Sequence, residues 1–189
     1  MRIVAGEFRG RKLHTPKGMN IRPTSDRVRE AIFNIIGPRF PEVRVLDLFA
    51  GTGALGLEAL SRGAAQAVFV DEDSEAIRLI SINIKSCGVQ DRALILHGPV
   101  DRVLRRFCKS EESSEKFKLI FLDPPYGKGY VEKTLRGLTA LAAPEALVVA
   151  EHHTKDILSA RLGEWLLNQE RKYGDTKISF FVRDIPKPK

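Results

Sequence analysis

Cysteine is nearly absent from this chain of 189 residues, which contains only Cys87 and Cys108. The two positions match no metal-binding spacing, and neither has a nearby histidine that would activate it as a nucleophile. The sequence therefore offers no disulfide framework, and we expect no metal cofactor. We expect both side chains to be reduced thiols, as in a cytoplasmic protein.

Long apolar runs are also missing. No stretch approaches the roughly 18 apolar residues of a membrane span, and the N-terminus lacks the apolar core of a signal peptide. We therefore expect no membrane partner. A length of 189 residues with 43% hydrophobic residues is enough for one domain with an ordinary core. The chain contains no repeat and no linker long enough to separate two domains, and we expect a monomer.

Acidic residues are scarce at the start of the chain. The whole sequence has 31 Lys and Arg against 24 Asp and Glu, a net charge of +7. Within residues 1–22, Glu7 is the only acid, and the basic residues are Arg2, Arg9, Arg11, Lys12, Lys17 and Arg22. This balance favours a polyanionic partner, although an ordinary solvated terminus has the same composition. Short apolar runs between glycines predict a strand pair, in an arm outside the main sheet.

A glycine-rich loop follows the strongest strand pattern. Residues 43–49 form an apolar run that is typical of a central parallel strand, and helical spacing resumes soon after it. Gly51 and Gly53 permit positive φ values and a close approach of backbone N–H groups to a small ligand. The spacing Gly51-x-Gly53-x-x-Gly56 also matches the dinucleotide fingerprint, with Asp71 near the position of its ribose-binding acid.

Asp47 favours a different ligand from a dinucleotide. A carboxylate four residues before the first glycine would repel a pyrophosphate but attract an ammonium group. S-adenosylmethionine carries such a group, and its carboxylate would lie near the loop amides. Asp71, at the end of the next predicted strand, would accept both ribose hydroxyls. We therefore predict an S-adenosylmethionine site, and the less favoured alternatives are a nicotinamide site and a turn without a ligand.

The second motif is Asp123-Pro124-Pro125-Tyr126, which ends a hydrophobic strand predicted over residues 117–122. Two consecutive prolines fix φ and remove two N–H donors, so the loop is stiff and its carbonyl groups lack internal partners. Asp123 and these carbonyls would line a cleft with hydrogen-bond acceptors only. Such a cleft suits a planar group bearing an NH₂, with Tyr126 stacked on its face.

The remaining pattern alternates strands and helices. Thr24 or Ser25 would cap a first helix, on which Arg27, Arg29 and Glu30 are either solvated or face the substrate. On a later helix, Asn83 is expected at the surface or in a cap. Further strands are predicted at 67–71, 93–97, 146–151, 164–172 and 177–183, and helices at 74–86, 100–107, 130–142 and 155–162. This order predicts an α/β fold: a mostly parallel, seven-stranded, Rossmann-like sheet with a terminal antiparallel hairpin and helices on both faces.

The motifs, taken in this order, resemble class I S-adenosylmethionine-dependent methyltransferases that modify amino groups. Three further segments are similar to the RsmD family: residues 2–6 with 9–13, residues 22–33, and residues 173–177. That family methylates the N2 amino group of a guanine in small-subunit (16S) ribosomal RNA. The likeness spans nearly the whole chain, and residues 22–33 are far more specific than the glycine loop.

The resemblance implies site residues and a division of the chain. S-adenosyl-L-methionine would be the donor and S-adenosyl-L-homocysteine the product. Residues 1–22 would form a basic RNA-binding arm, and residues 23–189 the methyltransferase part of the same domain. The expected cofactor-binding residues are Asp47, Phe49, Ala50, Gly51, Thr52, Gly53, Asp71, Glu72, Pro99 and Val100. The expected catalytic residues are Asp123, Pro124, Pro125 and Tyr126, and the expected RNA-binding residues are Arg2, Arg9, Arg11, Lys12, Arg22 and Arg27.

One departure from the class I pattern concerns adenine. Many of these enzymes carry an acid after the third strand, where this chain has Pro99, so we expect main-chain or apolar contacts there. Two alternative functions stay open: a methyltransferase acting on DNA adenine or a protein glutamine, and a nonenzymatic RNA-binding domain. The resemblance implies small-subunit ribosomal RNA as the partner, with naked RNA and an assembled or assembling small subunit as the two alternative substrates.

Overall fold

The computed structural model describes residues 1–16, 26–110 and 115–184. Its helices are α1 (Asp26–Ile36), α2 (Ala54–Ser61), α3 (Ser74–Cys87), α4 (Val100–Phe107) and α5 (Tyr130–Leu138), with one 3₁₀ turn at Gln90–Arg92. Its strands are β1 (Arg44–Leu48), β2 (Gln66–Asp71), β3 (Ala93–His97), β4 (Phe117–Leu122), β5 (Ala142–His153), β6 (Arg161–Leu162), β7 (Trp165–Tyr173) and β8 (Thr176–Arg183).

The strands form one sheet in the order β3-β2-β1-β4-β5-β8-β7-β6. The first five strands of this order are parallel, and β8, β7 and β6 continue it with antiparallel pairing. The α/β fold with a mostly parallel sheet and a terminal antiparallel hairpin is thereby confirmed. The described sheet has eight strands where we expected seven, because the two-residue β6 extends the hairpin edge.

Helices cover both faces of the sheet, as expected. One apolar cluster joins side chains of α1, α2 and α3 to one face and includes Phe33 and Leu57. The second cluster joins α4 and α5 to the other face and includes Leu135 and the fully buried Trp165. Strands buried on both faces account for the nearly continuous apolar runs in the sequence. No helix in the described part of the chain is long and apolar enough to cross a bilayer.

The prediction of a helix at residues 155–162 is wrong. The Asp156 N–H donates to the His153 carbonyl at 2.9 Å, and the Asp156 carboxylate accepts the His153 N–H at 3.2 Å. These two bonds close a tight turn, because a short Asp side chain competes well for backbone N–H groups outside helices. The chain then runs without helix to β6. Thr24 and Ser25, the expected caps of α1, lie outside the described residues.

The N-terminal segment, residues 1–16, lies outside the sheet and packs against α2. Arg2 and Lys12 form an antiparallel bridge, while Ile3 and Phe8 are buried in the first apolar cluster. The approach to α2 is so close that a Cβ on Gly6, whose φ is +86°, would lie 1.9 Å from the Ser61 carbonyl oxygen. Only glycine fits there, so the segment packs directly onto α2 while it lies outside the sheet.

A buried ion-pair network fixes this segment to α2. The carboxylate of Glu58 accepts the N–H groups of Val4 at 2.7 Å and Ala5 at 3.0 Å. The same carboxylate pairs with Arg62 at 2.9 Å and Arg29 at 3.5 Å. Arg29 also donates to the carbonyl oxygen of Arg2. Arg29 is therefore neither solvated nor directed at a substrate: it holds the N-terminal segment in place.

Candidate active site

The two sequence motifs meet in one cleft. Strands β1, β2 and β4 are parallel neighbours, so their carboxyl ends lie at one edge of the sheet, where open α/β sheets bind ligands. A cleft of about 580 Å³ opens there. Its walls include Asp47, Phe49, Ala50, Gly51, Thr52, Asp71 and Glu72 from the expected cofactor site, and Asp123, Pro124, Pro125 and Tyr126 from the expected acceptor site.

The glycine loop turns sharply between β1 and α2. Gly51 and Gly53 have φ values of +56° and +75°, and Phe49, which is not a glycine, has +59°. Such strain at a non-glycine residue is concentrated at functional sites. Gly53 does not line the cleft: its N–H donates to the Ala50 carbonyl at 2.7 Å, and a Cβ there would lie 3.3 Å from the Phe69 ring. Gly53 therefore shapes the loop that Gly51 and Thr52 present.

Asp47 is a buried carboxylate in the floor of the cleft. Its Oδ2 accepts the Gly56 N–H at 2.9 Å, which fixes the start of α2 to the end of β1. Burial raises the pKa of Asp47 to about 7; the Gly56 hydrogen bond opposes this change, and the negative charge of Asp71 adds to it. The group is thus poised to ionise near neutrality when a cation enters the cleft.

Asp71 supports the glycine loop from the neighbouring strand. Its Oδ2 accepts the Gly51 N–H at 2.8 Å, and its Oδ1 accepts the Asp73 N–H at 2.9 Å. Each carboxylate oxygen has a second lone pair, so the group also has acceptors for two hydroxyls of a ligand. Asp71 therefore makes a structural contact to the loop, and its contact with the ribose stays a prediction.

Tyr126 is held at its hydroxyl while its ring stays accessible. The hydroxyl donates to Glu151 Oε1 at 2.8 Å and lies 3.3 Å from Thr176 Oγ1. Partial burial raises the pKa of Tyr126, and the negative charge of Glu151 contributes to this rise. Tyr126 is 37% exposed. The centroids of its ring and the His153 ring lie 5.8 Å apart, and the two rings are arranged edge to face. The phenol thus stays protonated and anchors a ring surface suited to stacking.

The N-terminal segment contributes to the same cleft, and sequence reasoning missed this. Met1 and Pro16 are among the lining residues. Asn83 of α3, expected at the surface or in a cap, is instead fully buried. Its side chain accepts the His14 N–H at 2.7 Å and donates to the carbonyls of His14 at 3.1 Å and Thr52 at 2.9 Å. Asn83 thereby joins the N-terminal segment to the glycine loop.

Besides Gly53, two more of the expected cofactor residues do not line this cleft. Pro99 precedes α4 as its N-cap, and Val100 is buried in the second apolar cluster. Both lie after β3, which is the neighbour of β2 on the side away from β1. Their part in holding adenine stays a prediction.

The expected RNA-binding residues are exposed wherever the structure describes them. Arg2, Arg9, Arg11, Lys12 and Arg27 lie at the surface, and Arg22 is outside the described residues. Arg11 also donates to the carbonyl oxygen of Ser86 on α3, so part of its role is structural. Within residues 1–16, 26–110 and 115–184, no three His, Cys, Asp or Glu side chains are grouped so that they could hold a metal ion.

Comparisons with known proteins agree with this architecture. The family described as "Conserved hypothetical protein 95" matches residues 1–182. YlbH of Bacillus subtilis is 37% identical over 189 residues, which cover 97% of this chain and 99% of YlbH. The Escherichia coli protein named ribosomal RNA small subunit methyltransferase D is 32% identical over 186 residues, covering 97% of this chain and 90% of that protein.

A solved structure extends the likeness to three dimensions. The structure of yhhF from Escherichia coli matches this one with a TM-score of 0.82 at 33% identity, covering 97% of this chain and 98% of that one. The similarity to these relatives, in sequence and in fold, therefore extends over almost the whole chain. The chain belongs to the RsmD family, and its fold is that of class I methyltransferases.

Proposed function

We propose that this protein transfers a methyl group from S-adenosylmethionine to the exocyclic N2 amino group of a guanine in small-subunit ribosomal RNA. One observation carries the proposal: the glycine loop and the Asp123–Tyr126 loop open into a single cleft. A donor on the first loop and an amino acceptor on the second would therefore be adjacent. The Escherichia coli relative bears the name of a small-subunit ribosomal RNA methyltransferase, which supports the choice of acceptor.

The cofactor is S-adenosylmethionine, and the cleft offers a partner for each of its polar ends. The ammonium group would lie near the Asp47 carboxylate, and the carboxylate group near the N–H groups of the glycine loop. The ribose hydroxyls would donate to the Asp71 carboxylate, which has one lone pair free on each oxygen. A nicotinamide dinucleotide would instead place a pyrophosphate near Asp47, where two negative charges would repel.

The acceptor loop would prepare the guanine amine for attack. Asp123 and the carbonyl of Pro124, followed directly by Pro125, present acceptors without a competing proline N–H donor. When these two acceptors bind both N2 protons, they favour a pyramidal nitrogen. The lone pair of that nitrogen then faces the methyl carbon. Tyr126 would stack on a guanine that has left its neighbours in the RNA strand. Its hydroxyl bond to Glu151 keeps the ring in place for this contact.

The transfer itself is a direct displacement. The nitrogen lone pair forms the new N–C bond while the S–C bond breaks and its electron pair stays on sulfur. Positive charge thus moves from the sulfonium to the amine, where the Asp123 carboxylate stabilises it. The amine then loses one proton to Asp123 or to water, which leaves N2-methylguanosine and S-adenosylhomocysteine.

RNA binding is assigned to the basic N-terminal segment and its surroundings. We treat residues 1–22 as an RNA-binding arm and residues 23–189 as the methyltransferase part of one domain. The exposed cations Arg2, Arg9, Lys12 and Arg27 would contact phosphates. We place this activity in the cytoplasm, with a monomer acting on small-subunit ribosomal RNA, either naked or within an assembled or assembling small subunit.

A transfer assay tests the proposal. Purified protein is incubated with S-adenosylmethionine carrying a labelled methyl group and with small-subunit ribosomal RNA, both as naked transcript and as assembled particles. Large-subunit ribosomal RNA is the control substrate. We expect label in N2-methylguanosine after digestion of the small-subunit RNA to nucleosides. Label in adenine, or label only in protein, would overturn the proposal.

A further inference from the structure

A second cleft lies on the other side of the acceptor loop. Its volume is about 390 Å³, and it shares Pro124, Pro125 and Tyr126 with the cofactor cleft. The opposite wall comes from the start of α5, including Tyr130, and from the turn after β5, including Ile157. Anything bound there would lie next to a base stacked on Tyr126.

Ile157 is the most unusual side chain in this wall. It is 92% exposed, whereas the other exposed large hydrophobic residues in the described chain, Ile35 and Tyr126, are at 39% and 37%. The turn closed by His153 and Asp156 presents it at the cleft. An isoleucine this exposed contributes nothing to the core, yet it can still gain free energy by burial against a ligand.

The rim of the second cleft carries two lysines. Lys128 and Lys155 are exposed, and neither has an ion-pair partner among the residues that the structure describes. Two acids, Glu132 and Asp156, also line the cleft, but both already accept protein hydrogen bonds. Glu132 accepts from the Ser159 N–H and hydroxyl at 3.3 and 3.2 Å, and Asp156 accepts from the His153 N–H. The lysines are thus available to an anionic ligand.

An aromatic contact links the two clefts. Phe49, in the wall of the cofactor cleft, lies 5.6 Å from Tyr130, in the wall of the second cleft, with the rings tilted by 45°. Aromatic and apolar side chains beside unpaired lysines form the surface that single-stranded nucleic acids prefer, because bases stack while phosphates meet cations. Continuity with the acceptor loop restricts the occupant to chain adjacent to the target.

We propose that the second cleft binds the nucleotide next to the target guanine in the RNA strand. This inference rests on the proposed function. When the guanine leaves the stack, its neighbour loses one stacking partner, and Ile157 together with Tyr130 covers the exposed face of that base. Lys128 and Lys155 contact the phosphates on either side of it. The cleft thus selects an unstacked strand and holds it open during transfer.

Two variants test the apolar and the charged contacts separately. Ile157→Ala removes the apolar cover, and Lys128→Gln with Lys155→Gln removes the two cations. The matched controls are Ile35→Ala and the pair Arg39→Gln with Lys109→Gln. These exposed positions precede β1 and follow α4, so they lie near the opposite edge of the sheet. RNA binding is measured with small-subunit ribosomal RNA at several salt concentrations, and cofactor binding by calorimetry.

The two variants should change different quantities: kcat/KM for the RNA in the first and the salt dependence of RNA binding in the second. Ile157→Ala should lower kcat/KM for the RNA about tenfold, because it loses the burial of one aliphatic side chain, with an unchanged salt slope. The double lysine variant should bind RNA with a log–log salt slope that is shallower by about 1.4, from two phosphate contacts of roughly 0.7 each. Both variants should bind S-adenosylmethionine as wild type does.

The outcomes separate this inference from the function on which it rests. If wild type methylates the RNA and both variants match their controls, the second cleft does not bind RNA and the inference is wrong. If the variants lose RNA methylation only because they lose cofactor affinity, the inference is also wrong. If wild type neither binds nor methylates ribosomal RNA, the proposed function itself falls, and this inference falls with it.

Discussion

The side-chain amide of Asn83 donates to the carbonyl oxygen of Thr52 at 2.9 Å, although the two residues belong to different elements of the chain. The same side chain binds both backbone polar groups of His14. One buried amide therefore couples the N-terminal segment to the loop that would hold the cofactor. The N-terminal segment, to which we assign RNA binding, is thus in structural contact with the glycine loop.

Replacing Asn83 should lower both the stability of the fold and the affinity for the cofactor. Asn83→Ala leaves the His14 N–H and the Thr52 carbonyl, which are both in part-buried hydrogen bonds, without their partner. The loss of each bond costs about 0.5–1.5 kcal/mol. We expect a lower free energy of unfolding in urea and weaker binding of S-adenosylmethionine by calorimetry. Asn34→Ala, at an exposed position on α1, is the control. Unchanged cofactor affinity in a destabilised Asn83→Ala protein would limit the role of Asn83 to folding.

Asp71 should contribute to cofactor affinity through the ribose. Asp71→Ala removes the expected acceptors of both hydroxyls and the bond to the Gly51 N–H, so affinity for S-adenosylmethionine should fall by about 1–3 kcal/mol. Calorimetry measures this loss, with Asp91→Ala at an exposed site as the control. Equal affinities in the two variants would remove Asp71 from the cofactor site. Binding of NAD in place of S-adenosylmethionine would reject the cofactor assignment altogether.

Asp47 should make cofactor binding depend on pH. Its pKa is about 7 in the folded protein against a usual value of 3.8, so below pH 7 the carboxyl is mostly protonated. An arriving ammonium favours the ionised form, so binding releases a proton and the affinity should fall as the pH drops below about 7. Calorimetry in buffers of different ionisation enthalpy detects that proton. Affinity that rises on acidification would contradict an ammonium near Asp47.

The same group has a predictable effect on the stability of the free protein. Between pH of about 4 and 7, the folded state binds more protons at Asp47 than the unfolded chain does. Its contribution to the free energy of unfolding therefore falls as the pH rises through this window, and it is constant above it. Asp47→Asn should remove this contribution and the pH dependence of cofactor affinity together.

The exposed cations of the N-terminal segment should act on RNA and not on the cofactor. A variant with Arg9→Gln and Lys12→Gln should show a salt slope for RNA binding that is shallower by up to about 1.4, since each lost phosphate contact removes roughly 0.7 on single strands. Arg11 is left unchanged because it also binds the Ser86 carbonyl. An unchanged slope with full RNA methylation would assign these residues to an ordinary solvated surface.

The sequence predicted the parallel sheet and both loops because their signals are local. Residues 43–49 and 117–122 are apolar runs that end in short, distinctive turns, and parallel topology then brings those turns to one edge. Asn83 and Glu58 gave no such signal, because a single polar residue within a helix has the same sequence pattern whether its side chain is solvated or buried. Their partners lie 31 and 54 positions away. Only the folded chain reveals those contacts.

The turn at residues 153–158 shows a different reason for failure. Its apolar residues Ile157 and Leu158 fit a helical pattern, but Asp156 bonds to the backbone of His153 and closes a turn instead. Local side-chain bonds of this kind compete with helix formation in ways that periodicity does not register. Leu158 packs against the second apolar cluster while Ile157 points to solvent. In this non-helical form the segment lines the second cleft.

We propose that Asp123 acts on the amine of a guanine in ribosomal RNA. The most direct measurement maps N2-methylguanosine by mass spectrometry in small-subunit ribosomal RNA from cells that lack the protein and carry wild type, Asp123→Ala or the control Asp91→Ala. We predict that one guanine loses its methyl group and that wild type and the control restore it. Asp123→Ala should not restore it, although its affinity for S-adenosylmethionine stays near that of wild type. Full methylation in cells lacking the protein would contradict the proposed activity, and restoration by Asp123→Ala would contradict the role of Asp123.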